Sequence, residues 1–159
     1  MMACDINTFV EIKKGDKWDR SFDDVFKLPY WPAKIQKRTH TSTPFDWKDY
    51  GMYGFFADVR NNSEVPPLSS PKGIPEGCTA LSDDIDNVDY YSWTWLSLKE
   101  LGEFDYDKTF EDRQDCEPGV KGVVVSFRSF LGQDFFSDIE ALKLLGKPDQ
   151  VRVIIWFGN

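Results

Sequence analysis

The chain is poor in the residues that most often carry chemistry. It has one histidine, His40, and three cysteines, Cys4, Cys78 and Cys116, at wide and irregular spacing. Without a Cys-x-x-Cys pair and with a lone histidine, a zinc site has no ligand set to draw on. An odd number of scattered cysteines reads as free thiols, so a cytoplasmic location is expected. No stretch approaches the roughly 18 apolar residues of a membrane-spanning helix. The opening "MMACDINTFVEI" also lacks the charged and apolar regions of a secretory leader. Positive charge is scarce: 19 Lys plus Arg stand against 27 Asp plus Glu, a formal net of −8. The densest basic stretch, "AKIQKRTH", holds only three of them. Proteins that grip nucleic acid through its phosphates show the reverse balance, which argues against general DNA or RNA binding. A small anionic ligand in a local basic pocket, or a basic protein partner, is compatible with it.

Catalytic motifs are missing too. There is no Gly-x-Ser-x-Gly elbow, and neither "GMYGFF" nor "KGIPEG" has the strand-to-helix grammar of a phosphate loop. The acidic run "DDIDNVD" fails as a calcium loop. Starting at Asp84, it has Asp89 where glycine is required and Trp95 where glutamate is required. A histidine phosphodiesterase would need a second His-x-Ser/Thr repeat beside "HTS". No catalytic residue, metal or cofactor is therefore assigned.

What the chain does have is aromatic rings, with 13 Phe, 6 Trp and 6 Tyr. Disordered chains are poor in them, so this one folds. Rings fill cores and also make flat platforms for planar ligands, and part of this surplus is expected at the surface.

Periodicity orders the rest. "CDINTFVEI" alternates as a strand, and Gly15 and Asp16 supply the turn of a hairpin through Trp18. Residues 21 to 49, broken by Pro29, Pro32 and Pro44, form a long ordered loop anchored by Phe22, Phe26, Tyr30, Trp31, Phe45 and Trp47. Asp49 caps a helix carrying Met52, Phe55, Phe56 and Val59, in which Gly51 and Gly54 would admit another backbone and which Asn61 and Asn62 would end. "SEVPPLSSPKGIPEG", with four prolines and two glycines, is an extended segment wrapping the body. "YYSWTW" is a strand, with Tyr91, Trp93 and Trp95 on one side and Tyr90, Ser92 and Thr94 on the other. Ser97 then caps a short helix, residues 104 to 119 are polar, and "VKGVVVSF" is a strand. "LGQDFFSDIEALKLLGK" is the best helix, with Phe135, Ile139, Leu142 and Leu145 on one face, and "VRVIIWFGN" is a last strand. Residues 1–159 thus make one α+β domain whose mostly antiparallel sheet has the first and last strands side by side at its centre.

That pairing concentrates the interesting residues. Asp5, Asn7 and Glu11 fall on one face of the first strand, and Arg152 and Trp156 on one face of the last. If these faces coincide, carboxylates, an arginine and an indole share one surface. The simpler expectation is a solvated face with one cross-strand ion pair. It is nevertheless the first place to look for a site.

Four stretches, "MACDINTFVEI", "YGMYGFFADVRN", "SWTWLSLKEL" and "DQVRVIIWFGN", resemble a family of small uncharacterised bacteriophage and prophage proteins. That family opens with Cys-Asp-Ile-His, has a "YDLFAILADVRN"-like helix and an "SPPRGLP"-like segment (here "LSSPKGIPEG"), and closes on a "VRVVFWFDN"-like strand. The likeness spans nearly the whole chain. Asn7 stands where the family has histidine and Gly158 where it has aspartate, so any acid–base or metal pair at those positions is absent here. The resemblance implies a phage accessory protein, of the kind that counters host immunity, working in the host cytoplasm.

Together these readings lead to an expected function: binding and sequestration of a small nucleotide immune signal. Trp93, Trp95 or Trp156 would stack a base. Arg60, Lys72, Arg128 or Arg152 would meet phosphates, and Asp5 or Asn7 would hydrogen-bond base or ribose edges. A homo-oligomer is expected, because such sites often lie between subunits. Two other readings are an acidic inhibitor of a host defence protein and a hydrolase of the same signal using His40 or a carboxylate pair.

Overall fold

The computed structural model describes residues 3–26 and 43–159. His40, Arg38, Tyr30, Trp31, Pro29 and Pro32 lie outside them. The elements run β1 (Asp5–Lys14), β2 (Lys17–Arg20), α1 (Tyr50–Ala57), α2 (Ser82–Ile85), β3 (Tyr90–Ser97), α3 (Leu98–Glu103), β4 (Thr109–Asp112), β5 (Val123–Ser126), α4 (Phe127–Leu131), α5 (Gln133–Lys143) and β6 (Val151–Gly158). The main sheet has the order β2-β1-β6-β3, all antiparallel, with the first and last strands in the middle as the sequence predicts. It is an α+β architecture.

Alternation along β1 and β6 divides the interior in two. Ile6, Val10, Val153, Ile155 and Phe157 face the helices and join the larger core. Phe9, Ile154 and Trp156 face the opposite way and form a smaller one with Trp93, Trp95, Tyr90, Cys78 and Ala80. Most of the aromatic surplus lies in the larger core. Phe55 touches the rings of Phe56, Phe104, Tyr106, Phe127 and Phe135, so α1, α4 and α5 interlock through phenyl groups. Phe22, 66% exposed, is no anchor of its loop, whereas Phe26 and Phe45 are buried.

Local chemistry accounts for the helix ends. The Asp49 carboxylate accepts the Met52 N–H at 3.1 Å and starts α1. Ser97 and Glu100 form a reciprocal capping box on α3. The helix α1 ends earlier than Asn61, at Asp58, which takes the left-handed conformation (φ 56). Asn61 instead braces the following turn, donating to the Val65 carbonyl and accepting the Val65 N–H. A methyl on Gly54 would stand 2.5 Å from the Asn61 amide oxygen, so it is a side chain rather than another backbone that requires this glycine.

Two further differences from the sequence reading have physical causes. Ser92 takes φ 53, and the register of β3 on β6 slips between Tyr91 and Thr94. The bulge sends Tyr91 to the helix-covered face opposite Phe157, so it does not share a side with Trp93 and Trp95. Residues 109 to 112, within the stretch read as polar, pair with β5 as a separate two-stranded ribbon.

Candidate functional site

A pocket of about 660 Å³ opens on the smaller-core face of the sheet, lined by Lys13, Asp16, Lys17, Trp18, Lys72, Ile74, Pro75, Glu76, Gly77, Trp95 and Arg152. Three segments build it. The β1–β2 hairpin contributes the first wall: with Gly15 at φ 62 in a two-residue turn, Lys13 lies opposite Trp18 and Glu11 opposite Arg20. The sheet centre contributes the floor, where Glu11 pairs with Arg152 across β1 and β6, and Ser97 flanks Arg152 from β3. The proline-rich strap contributes the opposite wall. It runs along the outer edge of β3, the Gly73 N–H donating to the Trp93 carbonyl at 2.8 Å and the Lys72 N–H to the Thr94 hydroxyl at 3.1 Å. It then crosses the sheet face, where the Thr79 N–H donates to Glu11 Oε2 at 2.6 Å.

The floor is locked. Arg152 Nε donates to Glu11 Oε1 at 2.8 Å, and its Nη2 to the Glu76 carbonyl at 3.1 Å. Glu11 is fully buried and Arg152 is 4% exposed, so the expected cross-strand ion pair forms but is not solvated. The strap covers it, which corrects the expectation of a wet face at this end of the sheet. The guanidinium carbon sits 4.0 Å from the centre of the Trp18 ring and 5.8 Å from that of Trp95. Both rings are within cation–π range of it. Among the described residues the third guanidinium nitrogen, Nη1, has no protein acceptor.

Lys72 stands on the other side, its ammonium 3.9 Å from the centre of the Trp95 ring and 2.8 Å from Glu100 Oε1. Burial works to raise the Glu100 pKa, but the Lys72 ammonium and the hydrogen bonds from Ser97 outweigh it and hold the carboxyl below its ordinary value of 4.5. A depressed carboxyl stabilises the folded chain above the ordinary value, and that contribution is lost as pH falls through the depressed one. Glu100→Gln keeps the capping geometry and removes the charge. It is expected to lower stability by about 0.2–1 kcal/mol at neutral pH, as for a partly exposed pair. Thermal unfolding of both proteins from pH 7 to pH 3 should show this difference shrinking in acid; a difference constant with pH would contradict it.

Burial pushes the Cys78 thiol, beside Glu11, above its ordinary value. Beyond the pocket, Trp93 and Trp156 stack at 4.5 Å with planes 8° apart, and Phe9 meets Trp156 edge-on. Trp156 Nε1 is buried without a hydrogen-bond partner among the described residues.

The structure therefore gathers Lys72, Trp95 and Arg152 of the nine expected ligand residues in one pocket. It places Trp93 and Trp156 next to it on the same face. Asn7 shares that face without lining the pocket, and the other three lie elsewhere. Asp5 pairs with Lys48 at 3.1 Å, six residues from Glu11 along β1, or about 20 Å at strand rise. Asn7 faces Trp156 across β1 and β6. Arg60 sits by Tyr50 and Asn159, and Arg128 pairs with Asp107 on α4. Eight of the eleven pocket residues were not among those expected, among them Glu76, Asp16, Lys17 and, facing each other on the hairpin, Trp18 and Lys13. The signal was present: a two-residue turn at Gly15 and Asp16 fixes the register that sets Trp18 opposite Lys13, on the same face as Glu11.

No protein-family model, curated protein or solved structure matches the chain. No helix among the described residues is long and apolar enough to cross a membrane.

Proposed function

We propose that the protein binds and holds a small nucleotide in the pocket between the hairpin and the proline-rich strap. The observation that carries this reading is the lining: two indoles and four cationic side chains converge there in a chain of net charge −8. Indoles stack a base, and arginine and lysine meet phosphate oxygens. The volume is in the range of small-molecule sites. Following the resemblance to phage accessory proteins, the ligand is a nucleotide signal of host immunity, sequestered in the host cytoplasm by a homo-oligomer. Holding rather than cleavage is supported by a Glu11 already committed to Arg152 and Thr79.

Native mass spectrometry of the protein purified from cells with an active nucleotide-signalling defence, repeated after denaturation, tests this. A released molecule of intact nucleotide mass is expected. Trp95→Ala should weaken its rebinding about 5- to 100-fold, the effect of losing one stacking ring. An empty protein that leaves added nucleotides unbound and unchanged would overturn the proposal.

An acidic inhibitor of a host defence protein is the second reading. It is favoured by the segment 81–89, where Leu81, Ile85 and Val88 are exposed among Asp83, Asp86 and Asp89. Charge there would steer a basic partner. Retention of a host protein by the native chain, lost when these aspartates become asparagine, would support it; loss on Trp95→Ala instead would count against it.

A further inference from the structure

We infer that the pocket selects a guanine base, with Glu76 and Arg152 as the residues that read it. This rests on the reading of the pocket as a nucleotide site. Among the described residues the polar side chains that line it are cations (Lys13, Lys17, Lys72, Arg152), carboxylates (Asp16, Glu76) and two indoles, whose N–H groups only donate. None of the described residues brings an amide or hydroxyl side chain to it. That inventory decides among bases, because cations only donate hydrogen bonds and carboxylates only accept them. Guanine separates the two functions cleanly. O6 and N7 are adjacent acceptors that suit a guanidinium, and N1–H and the 2-amino group are adjacent donors that suit a carboxylate. Adenine alternates a donor at N6 with acceptors at N1 and N7, a pattern read by an amide, and the lining has none.

The two reading groups are also available and held in place. Glu11 and Glu100 are committed to Arg152 and Lys72, but among the described residues neither Glu76 nor Asp16 enters an ion pair. The backbone of Glu76 is fixed by the hydrogen bond from Arg152 Nη2 to its carbonyl, so its carboxylate starts from a defined point beside the guanidinium. Arg152 itself is immobilised by Glu11 and by Trp18, with Nη1 left over. Asp16, by contrast, stands at the tip of the hairpin turn. Lys13 and Lys17 remain for the phosphate.

Quenching of tryptophan fluorescence by GMP, AMP, CMP and UMP, with the intact chain, tests the inference. GMP is expected to bind about 10-fold or more tightly than AMP, the discrimination of one charge-assisted hydrogen bond. Glu76→Ala, at an exposed position outside the cores, should weaken GMP about 10-fold and leave AMP within about 2-fold, which a general loss of folding would not do. AMP, CMP or UMP binding as well as GMP, or a Glu76→Ala protein that still prefers GMP, would overturn guanine selection while leaving a nucleotide site standing. Binding of none of the four would sink both readings.

Discussion

Glu11→Ala is expected to destabilise the protein by about 3–5 kcal/mol, because it leaves the Arg152 guanidinium buried without its counter-charge. The carboxylate it removes is wholly buried, accepts from Arg152 Nε at 2.8 Å and also receives the Thr79 N–H at 2.6 Å. Its loss therefore removes a side-chain link between β1 and β6 and one anchor of the strap. A domain of this size is typically stable by only ~5–15 kcal/mol, so the variant should unfold at much lower urea, with its midpoint read by circular dichroism. The double replacement Glu11→Leu with Arg152→Met separates the charge from the packing. Exchanging both members of a buried pair for apolar side chains is often neutral or stabilising. The double variant should thus recover most of the lost stability while failing to bind nucleotide. A single variant less than about 1 kcal/mol below the parent would show that water reaches the pair and that the floor is not locked.

Phe55→Ala is the second large effect, expected at about 3–5 kcal/mol. Phe55 is fully buried and meets five other rings, drawn from α1, α4, α5 and the segment after α3. Truncation leaves a phenyl-sized void that rigid neighbours close poorly. Phe55→Leu should lose a good deal less. Because Phe55 lies in the larger core, on the far side of the sheet from Trp18 and Trp95, the folded fraction of the alanine protein should keep the nucleotide response of the parent. A loss of stability below about 1 kcal/mol would mean that α1 and α5 collapse together to fill the gap.

These two substitutions probe parts of the molecule that differ in how readable they were. The central pairing of β1 and β6 could be argued from the chain, since both segments alternate, are apolar on one face and contain no proline. Asp49, Ser97 and the Phe135–Ile139–Leu142 face marked helices by local chemistry alone. The ribbon of β4 and β5 was only half readable. Val123 to Ser126 carries a β-branched run, but "TFED" has no periodic signal and becomes a strand because of the edge it meets. The bulge at Ser92 was hidden for the same reason: a single positive φ reverses the sides of Tyr90 and Tyr91 without altering composition.

The site divides in the same way. The sequence by itself determined which face of the sheet holds Glu11, Arg152 and Trp156, because a period-two strand places every second side chain together. It also determined that cations are few, that the 63–77 segment is extended, and that Trp95 and Lys72 are candidate ligand residues. Only the tertiary structure decided that the strap lies across that face at Glu11 and Arg152, so that an ion pair expected in water is buried. It likewise brought Trp18 and Lys72 to Arg152 and sent Asp5, Arg60 and Arg128 elsewhere. Strand periodicity is a local property of the backbone. Where a proline-rich segment comes to rest depends on hydrogen-bond partners 22 to 76 residues away, at Thr94, Glu11 and Arg152.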